Sequence, residues 1–393
     1  MKGAAVAAVL LLAGGNAVRA GGTDLSASWD NGIRLASADG STKIKLGGRI
    51  QHDWVFQRGA DDLVAAVGPL EDGAEFRRVR LYVSGLVGRT AIFKSQVDFV
   101  GGKTAMKDVW IGLAKVGPLG KVTIGHQYEP FGLEARTSDL ATTFVERSLL
   151  GAFSPERNTG LLIENAAGTM SWGAGVFREA DKTGKSVGSG EYNVTGRLSA
   201  RLLNRDGGRR LVHFGVAGSL RRPPDDEVEL ASSPENHLAP DFVSTGTLAA
   251  DRVVLLGLDA AAVRGPVSVQ GEYVRADVST LDGPDPACSG FYVLASWFPT
   301  GEHRPFSSSS AKFGRVKPRH PYDGSGGAGA WEIAARYSRL DLEDAGPPVL
   351  SGITAGVSWY LNPNFRWVTD YVRADVDGLG VSHAVQFRTQ ADF

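Results

Sequence analysis

One pattern restricts this chain more than any other. Apolar and polar residues alternate with a period of two, in segment after segment, up to the final residue. In the closing stretch "VQFRTQADF", Val385, Phe387, Thr389, Ala391 and Phe393 share one parity, and Gln386, Arg388, Gln390 and Asp392 share the other. A period of two marks a strand whose two faces meet different surroundings. The same holds in "TKIKLGGRIQHDW", where Ile44, Leu46, Ile50 and Trp54 oppose Lys43, Lys45, Arg49, Gln51 and Asp53. It holds again in "RVRLYVSG", "AIFKSQVDF", "YNVTGRLSARLL" and "WEIAARYS". Almost no sustained helical period occurs beyond the first twenty residues. Taken alone, the closing stretch also fits the last strand of a soluble sandwich.

Counted along the chain, the alternation predicts strands near residues 43–57, 75–87, 90–101, 107–115, 120–129, 160–165, 169–178, 191–203, 211–222, 250–264, 267–278, 288–299, 330–342, 351–362, 365–375 and 382–393. The number is even, and most segments approach the ~9–11 residues that cross a bilayer as a tilted strand. Short connections such as "VGRT", "NAAGT", "RGP" and "NPN" carry turn residues, and they mostly alternate with long ones at 58–74, 130–159 and 223–249. The charges decide which face meets water. Arg49, Arg78, Lys94, Arg197 and Arg336 all lie on the polar parity. A Lys or Arg turned to lipid at the midplane costs ~2–4 kcal/mol, so five of them must face an aqueous interior. These features predict an all-β fold, a sixteen-stranded antiparallel transmembrane β-barrel with inward-folded loops.

The N-terminal end agrees. "MKGAAVAAVLLLAGGNAVRA" has a basic start, a short apolar run and small residues near Ala20, so residues 1–20 read as a signal peptide cleaved after Ala20. Residues 21–393 then form the barrel domain of an exported protein. Its single cysteine, Cys288, permits no internal disulfide, so a large core or a closed hydrogen-bonded sheet must hold the chain. The balance of 42 basic against 43 acidic residues argues against nucleic acid as a partner.

No motif indicates a cofactor or a metal. "GSGGAG" at 324–329 matches a G-x-G-x-x-G pattern but has no strand before it or helix after it, so it reads as a flexible loop. "EADKTGKS" has Glu179 where a phosphate-binding loop needs its first glycine. The seven histidines lack metal-like spacing, and no serine sits in a G-x-S-x-G elbow.

Several stretches are jointly specific: "KLGGRIQHDW", "FRRVRLYVSG", "YEPFGLEARTSDLATTFVERSLLGAFSPERNTG", "GFYVLASWFPTGEHRPF", "GAWEIAARYSRLDL" and "GVSWYLNPN". With them the chain resembles the phosphate-selective porins, porins O and P of Gram-negative outer membranes. The resemblance implies a homotrimer embedded in outer-membrane lipid, with a channel narrowed by inward-folded loops and passive uptake of small anions such as phosphate. It also implies that the C-terminal strand is read by the outer-membrane assembly machinery. Arg49, Arg77, Arg78 and Arg147 match basic positions of the family, and Lys312 and Lys317 match its long turn. The family's arginines in the outer loop corresponding to 223–249 are missing. Asp225, Asp226, Glu227, Glu229, Glu235 and Asp241 stand there instead, which argues against a tight phosphate site. This acidic loop is expected where the passage is wide.

Residues 300–329 should lie at the periplasmic mouth, where Arg304, Lys312, Arg315, Lys317 and Arg319 oppose only Glu302 and Asp323. The pore-lining, anion-contacting residues are therefore expected to be Arg49, Arg77, Arg78, Lys94, Arg147, Arg197, Lys312, Arg315, Lys317, Arg319 and Arg336, with no catalytic residue. Two other readings stay open on sequence alone, a barrel-borne hydrolase and a non-conducting structural barrel.

Overall fold

Each of the sixteen alternating segments forms a strand, and the last pairs with the first. The computed structural model describes residues 18–20, 23–102 and 104–393; residues 1–17 of the leader read above lie outside them. The strands are β1 (Lys43–Gly59), β2 (Gly73–Val87), β3 (Ala91–Asp98), β4 (Ala105–Leu113), β5 (Lys121–Tyr128), β6 (Arg157–Ala167), β7 (Met170–Arg178) and β8 (Asn193–Arg205). They continue as β9 (Arg210–Arg221), β10 (Leu248–Arg264), β11 (Val267–Thr280), β12 (Ala287–Trp297), β13 (Ala330–Asp341), β14 (Leu350–Asn362), β15 (Phe365–Val376) and β16 (Gly380–Asp392). Every neighbour is antiparallel, and β16 pairs with β1 from Ser382↔Gly59 to Asp392↔Arg49. Closure leaves no edge of the wall unpaired, which a sheet in hydrocarbon requires.

The two faces part as the alternation demands. On β1, Trp54 and Phe56 are exposed on the outside, while Gln51 and Asp53 are buried inside. On β13, Trp331, Ile333 and Tyr337 point outwards and Glu332, Arg336 and Ser338 inwards. Near one end of the barrel the outer face carries aromatics on adjacent strands. Trp331 stacks on Trp359 at 5.2 Å, and Trp359 meets Trp367 edge-on at 5.3 Å. Such rings favour the interface between lipid and water.

The C-terminus, the start of β1 and the tight turns 88–90, 168–169, 265–266 and 363–364 lie at that end, which places it in the periplasm by the usual asymmetry of such barrels. One long connection, 298–329, joins them there. The opposite end bears the long connections 129–156 and 222–247, and a short helix (Asp61–Val67) in the connection 60–72.

One feature was not foreseen from the sequence. A hairpin of Thr23–Trp29 and Ile33–Ser37 pairs with β1 from Ile33↔Leu46 to Ala36↔Lys43. It covers the part of β1 that runs past the end of β16. At the join, the Phe393 amide donates to the Gly48 carbonyl at 3.1 Å, and the Gly48 amide donates back at 2.6 Å. A Cβ on Gly48 would lie 2.7 Å from the Phe393 ring, and one on Gly47 would lie 2.5 Å from its carbonyl oxygen. The "GG" of β1 is thus the space into which the last residue fits.

Candidate functional site: the charged lumen

The connection 129–156 bonds to inward-facing side chains around much of the wall. Asp139 pairs with Arg49, and it lies 2.8 Å from both Arg78 and Arg80. Glu146 takes a bidentate contact from Arg77 at 2.8 and 3.1 Å and a further bond from Arg388 at 2.9 Å. Burial works to raise the Glu146 carboxyl, but Arg77, Arg78 and Arg388 outweigh it and hold it well below the usual carboxylate range. Elsewhere on the wall, Glu272 accepts the Leu133 and Glu134 amides at 2.7 and 2.6 Å, and Asp370 accepts the Val145 amide at 2.6 Å. Carboxylates of the segment therefore bind arginines of β1, β2 and β16, while its backbone amides bind carboxylates of β11 and β15.

A backbone irregularity explains how two consecutive residues serve one face. The register of β1 with β2 slips between Gln51↔Arg78 and His52↔Phe76, which leaves Arg77 as the extra residue of a bulge. Strict alternation would turn Arg77 or Arg78 to lipid. The bulge lets both reach carboxylates inside.

A second segment enters from the periplasmic end. Phe313 and Phe306 of the 298–329 connection pack with Leu133 and with Leu211, Ala261 and Val263 of the wall. Arg304 stacks on the Phe313 ring at 3.8 Å and donates to Gln270 at 2.5 Å. A third segment, 222–247, departs from expectation. Glu235 does not sit in a wide outer mouth. It is 4% exposed, accepts from Arg336 at 2.5 Å and from Ser338 at 2.6 Å, and also bonds Thr354. The buried Arg336, which Glu134 also meets at 3.3 Å, is the charge that Glu235 answers there.

A polar cavity of about 350 Å³ stands open against β2, β4 and β5. Its cationic lining is Arg77, Arg78, Arg80, Lys107, Arg147 and Arg157, against the carboxylates Asp139, Glu146, Glu156, Glu235 and Asp241. The expected site residues divide accordingly. Arg77, Arg78 and Arg147 line this cavity, and Arg49 stands beside it through Asp139. Arg147 is held by the carbonyls of Glu134 and Thr137 at 3.2 and 2.9 Å, and by no carboxylate among the described residues. Lys94 pairs with Asp108 at 2.5 Å, and Arg157 holds the other oxygen of Asp108 at 2.7 Å.

Arg197 and Arg336 are 4% and 2% exposed and closed into pairs: Arg197 with Asp259, which is not part of the cavity lining, and Arg336 with Glu235, so that Arg336 stands behind the cavity wall. Arg315 pairs with Asp392, while Lys317 and Arg319 are exposed at the periplasmic end. Lys312 makes no ion pair among the described residues; burial, with Arg136 close by, pushes its ammonium down to about 8. Sequence reasoning missed Arg80, Lys107 and Arg157 as lining residues. Arg80 shares the parity of Arg78, so the signal was present.

A closed sixteen-stranded barrel with an apolar outer wall and a charged interior defines an outer-membrane channel protein of the porin type. The family model for "Phosphate-selective porin O and P" matches residues 44–393, and the chain belongs to that family. It is 25% identical to Porin O of Pseudomonas aeruginosa over 402 residues, covering 91% of this chain and 89% of that one. The fold is similar to an anion-selective porin from Comamonas acidovorans, with TM-score 0.53, 14% identity and coverage of 90% of this chain and 100% of that one. It is also similar to the trimer form of OmpT, an outer membrane protein of Vibrio cholerae, with TM-score 0.56, 11% identity and the same coverages. The protein is a porin of the Gram-negative outer membrane, a channel for small solutes.

Proposed function

We propose that the channel prefers anions, that it takes small anionic solutes including phosphate without binding phosphate tightly, and that it works without covalent chemistry. One observation carries this reading. Six cationic side chains line the open cavity, and Lys107 and Arg147 have no carboxylate partner among the described residues. Cations in a narrow, low-dielectric passage concentrate counter-ions. Each of Arg77, Arg78 and Arg80 already holds a carboxylate, which weakens any single anion site. The three inward segments set the width of the passage. A phosphate titration of single-channel chloride current tests the absence of a tight site: weak block at millimolar phosphate is expected, and block at micromolar phosphate contradicts it.

Lys312 supplies a pH test. With its ammonium titrating at about 8, it is cationic below that pH and neutral above it. Anion preference should therefore fall between about pH 7 and about pH 9. Lys312→Met should show the lower preference throughout, with no step across that range.

A hydrolase reading would need more than the buried His213–Asp259 pair, whose contact is 2.8 Å. The other ring nitrogen of His213 meets no hydroxyl among the described residues, so no nucleophile completes a triad. The protein assembles as a homotrimer, as in the OmpT trimer form, and the assembly machinery reads its C-terminal strand. Electrophoresis of unheated protein should show one band near three times the protomer mass. The mature chain begins at Gly21, and N-terminal sequencing of membrane-extracted protein checks this; an intact Met1 contradicts it.

A further inference from the structure

Two inward segments meet at one carboxylate of the wall. Glu272 of β11 is buried and stands directly opposite Tyr292 of β12. One of its oxygens accepts the Leu133 amide at 2.7 Å. The other accepts the Glu134 amide at 2.6 Å and the Tyr292 hydroxyl at 2.7 Å. Gly132, with φ 69°, turns both amides the same way, and a Cβ on it would lie 3.0 Å from a Glu272 oxygen. The Leu133 carbonyl accepts the Thr137 amide at 3.0 Å, so residues 132–137 form one turn seated on Glu272.

From Glu272 the contacts run two ways. Towards the passage, the carbonyls of Glu134 and Thr137 hold Arg147 at 3.2 and 2.9 Å. Arg147 lines the open cavity, and it also borders a small space of about 30 Å³ shared with Gly132, Glu134 and Glu272. Towards the periplasm, Gln270 donates to the Tyr292 oxygen at 2.5 Å and accepts from Arg304 at 2.5 Å. Arg304 stacks on Phe313, and Phe313 packs with Leu133 of the turn. The connections 129–156 and 298–329 are thus joined twice, once by a chain of hydrogen bonds through Glu272 and once by apolar contact.

We propose that Glu272 is a positioning residue of the channel. It seats the connections 129–156 and 298–329 together, and through the turn 132–137 it places Arg147 in the passage. A carboxylate suits the place because its two oxygens meet three donors; a side-chain amide would turn N–H groups towards one of them. Position and charge can be told apart, because they act in opposite directions. Removing a carboxylate from the lumen with all else in place makes the potential more positive and raises anion preference. Releasing the turn from the wall widens the passage and frees Arg147, which lowers it. The effect on selectivity rests on the anion preference proposed above, whereas the effect on width does not.

Planar-bilayer recordings of Glu272→Gln and Gly132→Ala, set beside the wild type, test this. Both variants should raise single-channel conductance and admit polyethylene glycols that the wild type excludes. Both should also move the reversal potential in a KCl gradient towards zero. Gly132→Ala strains the turn and keeps the wall charge, so agreement between the two variants assigns the change to position. Tyr292→Phe keeps the ring and breaks the link to Gln270, and it should widen the passage less. Heat-modifiability on gels confirms that each variant is folded. A Glu272→Gln channel of wild-type width with a stronger anion preference would reduce Glu272 to a charge and overturn the proposal. Unchanged conductance and polymer exclusion in Gly132→Ala would overturn it too, and wild-type width in Tyr292→Phe would overturn the hold on 298–329. A cation-preferring wild type whose two variants are both wider would sink the anion reading and uphold the seating role of Glu272.

Discussion

Changing Arg77, Arg78 and Arg80 together to glutamine should turn the channel from anion to cation preference. The open cavity is lined by six cationic side chains and five carboxylates. Removing three positive charges leaves the carboxylates in excess: Asp139 keeps Arg49 but loses Arg78 and Arg80, and Glu146 keeps Arg388 but loses Arg77. The sign of the potential in a low-dielectric passage follows the local excess. The reversal potential in a salt gradient should change sign. The matched triple lysine variant should keep anion preference, since it keeps the charge while losing the bidentate geometry. Breaking a buried pair costs about 3–5 kcal/mol, so the glutamine variant should also melt at a lower temperature. Unchanged selectivity in folded glutamine variant would show that ions pass elsewhere.

Deleting Phe393 should lower the yield of folded trimer severely while leaving synthesis and export intact. The last residue closes the barrel through two backbone hydrogen bonds to Gly48, and its ring occupies the space that the missing Gly48 side chain leaves. Without it, Gly47 and Gly48 of β1 lose their partner between β16 and the hairpin at the periplasmic rim, and the aromatic anchor at the lipid–water interface is lost. Gly48→Val should reproduce the defect from the other side, because its Cβ would meet the ring at 2.7 Å. Heat-modifiable trimer measured against total protein reads both. Normal assembly of the truncated chain would remove the role assigned to the terminus.

The barrel was legible in the sequence because a wall between lipid and water imposes a period of two on nearly every strand. Each of the sixteen expected segments became a strand, including the closing pair of β16 with β1. The hairpin of Thr23–Trp29 and Ile33–Ser37 was not legible. It lies outside the membrane, where no such division of faces applies.

The lumen was legible only as a set of charges. Arg77 and Arg78 were named from the "FRR" stretch, yet alternation alone sends one of them to lipid, and only the bulge reconciles them. Arg197 and Arg336 share the inward parity of Arg78 but end in closed pairs, because parity fixes a face and says nothing of which segment will cross the lumen to meet it. Glu235 shows the same limit. Its place in the sequence is the tip of a long acidic loop, and its place in space is beside Arg336, 101 residues away.

The account turns on whether the open cavity carries ions and which sign it favours. Reversal potentials of the wild-type protein, recorded across a planar bilayer in a KCl gradient, test both at once. An open channel with a modest anion preference that fades as salt rises is the predicted result, since exposed charges are screened within about 10 Å at 0.1 M salt. A cation-preferring channel, or a folded trimer that passes no current, would contradict it.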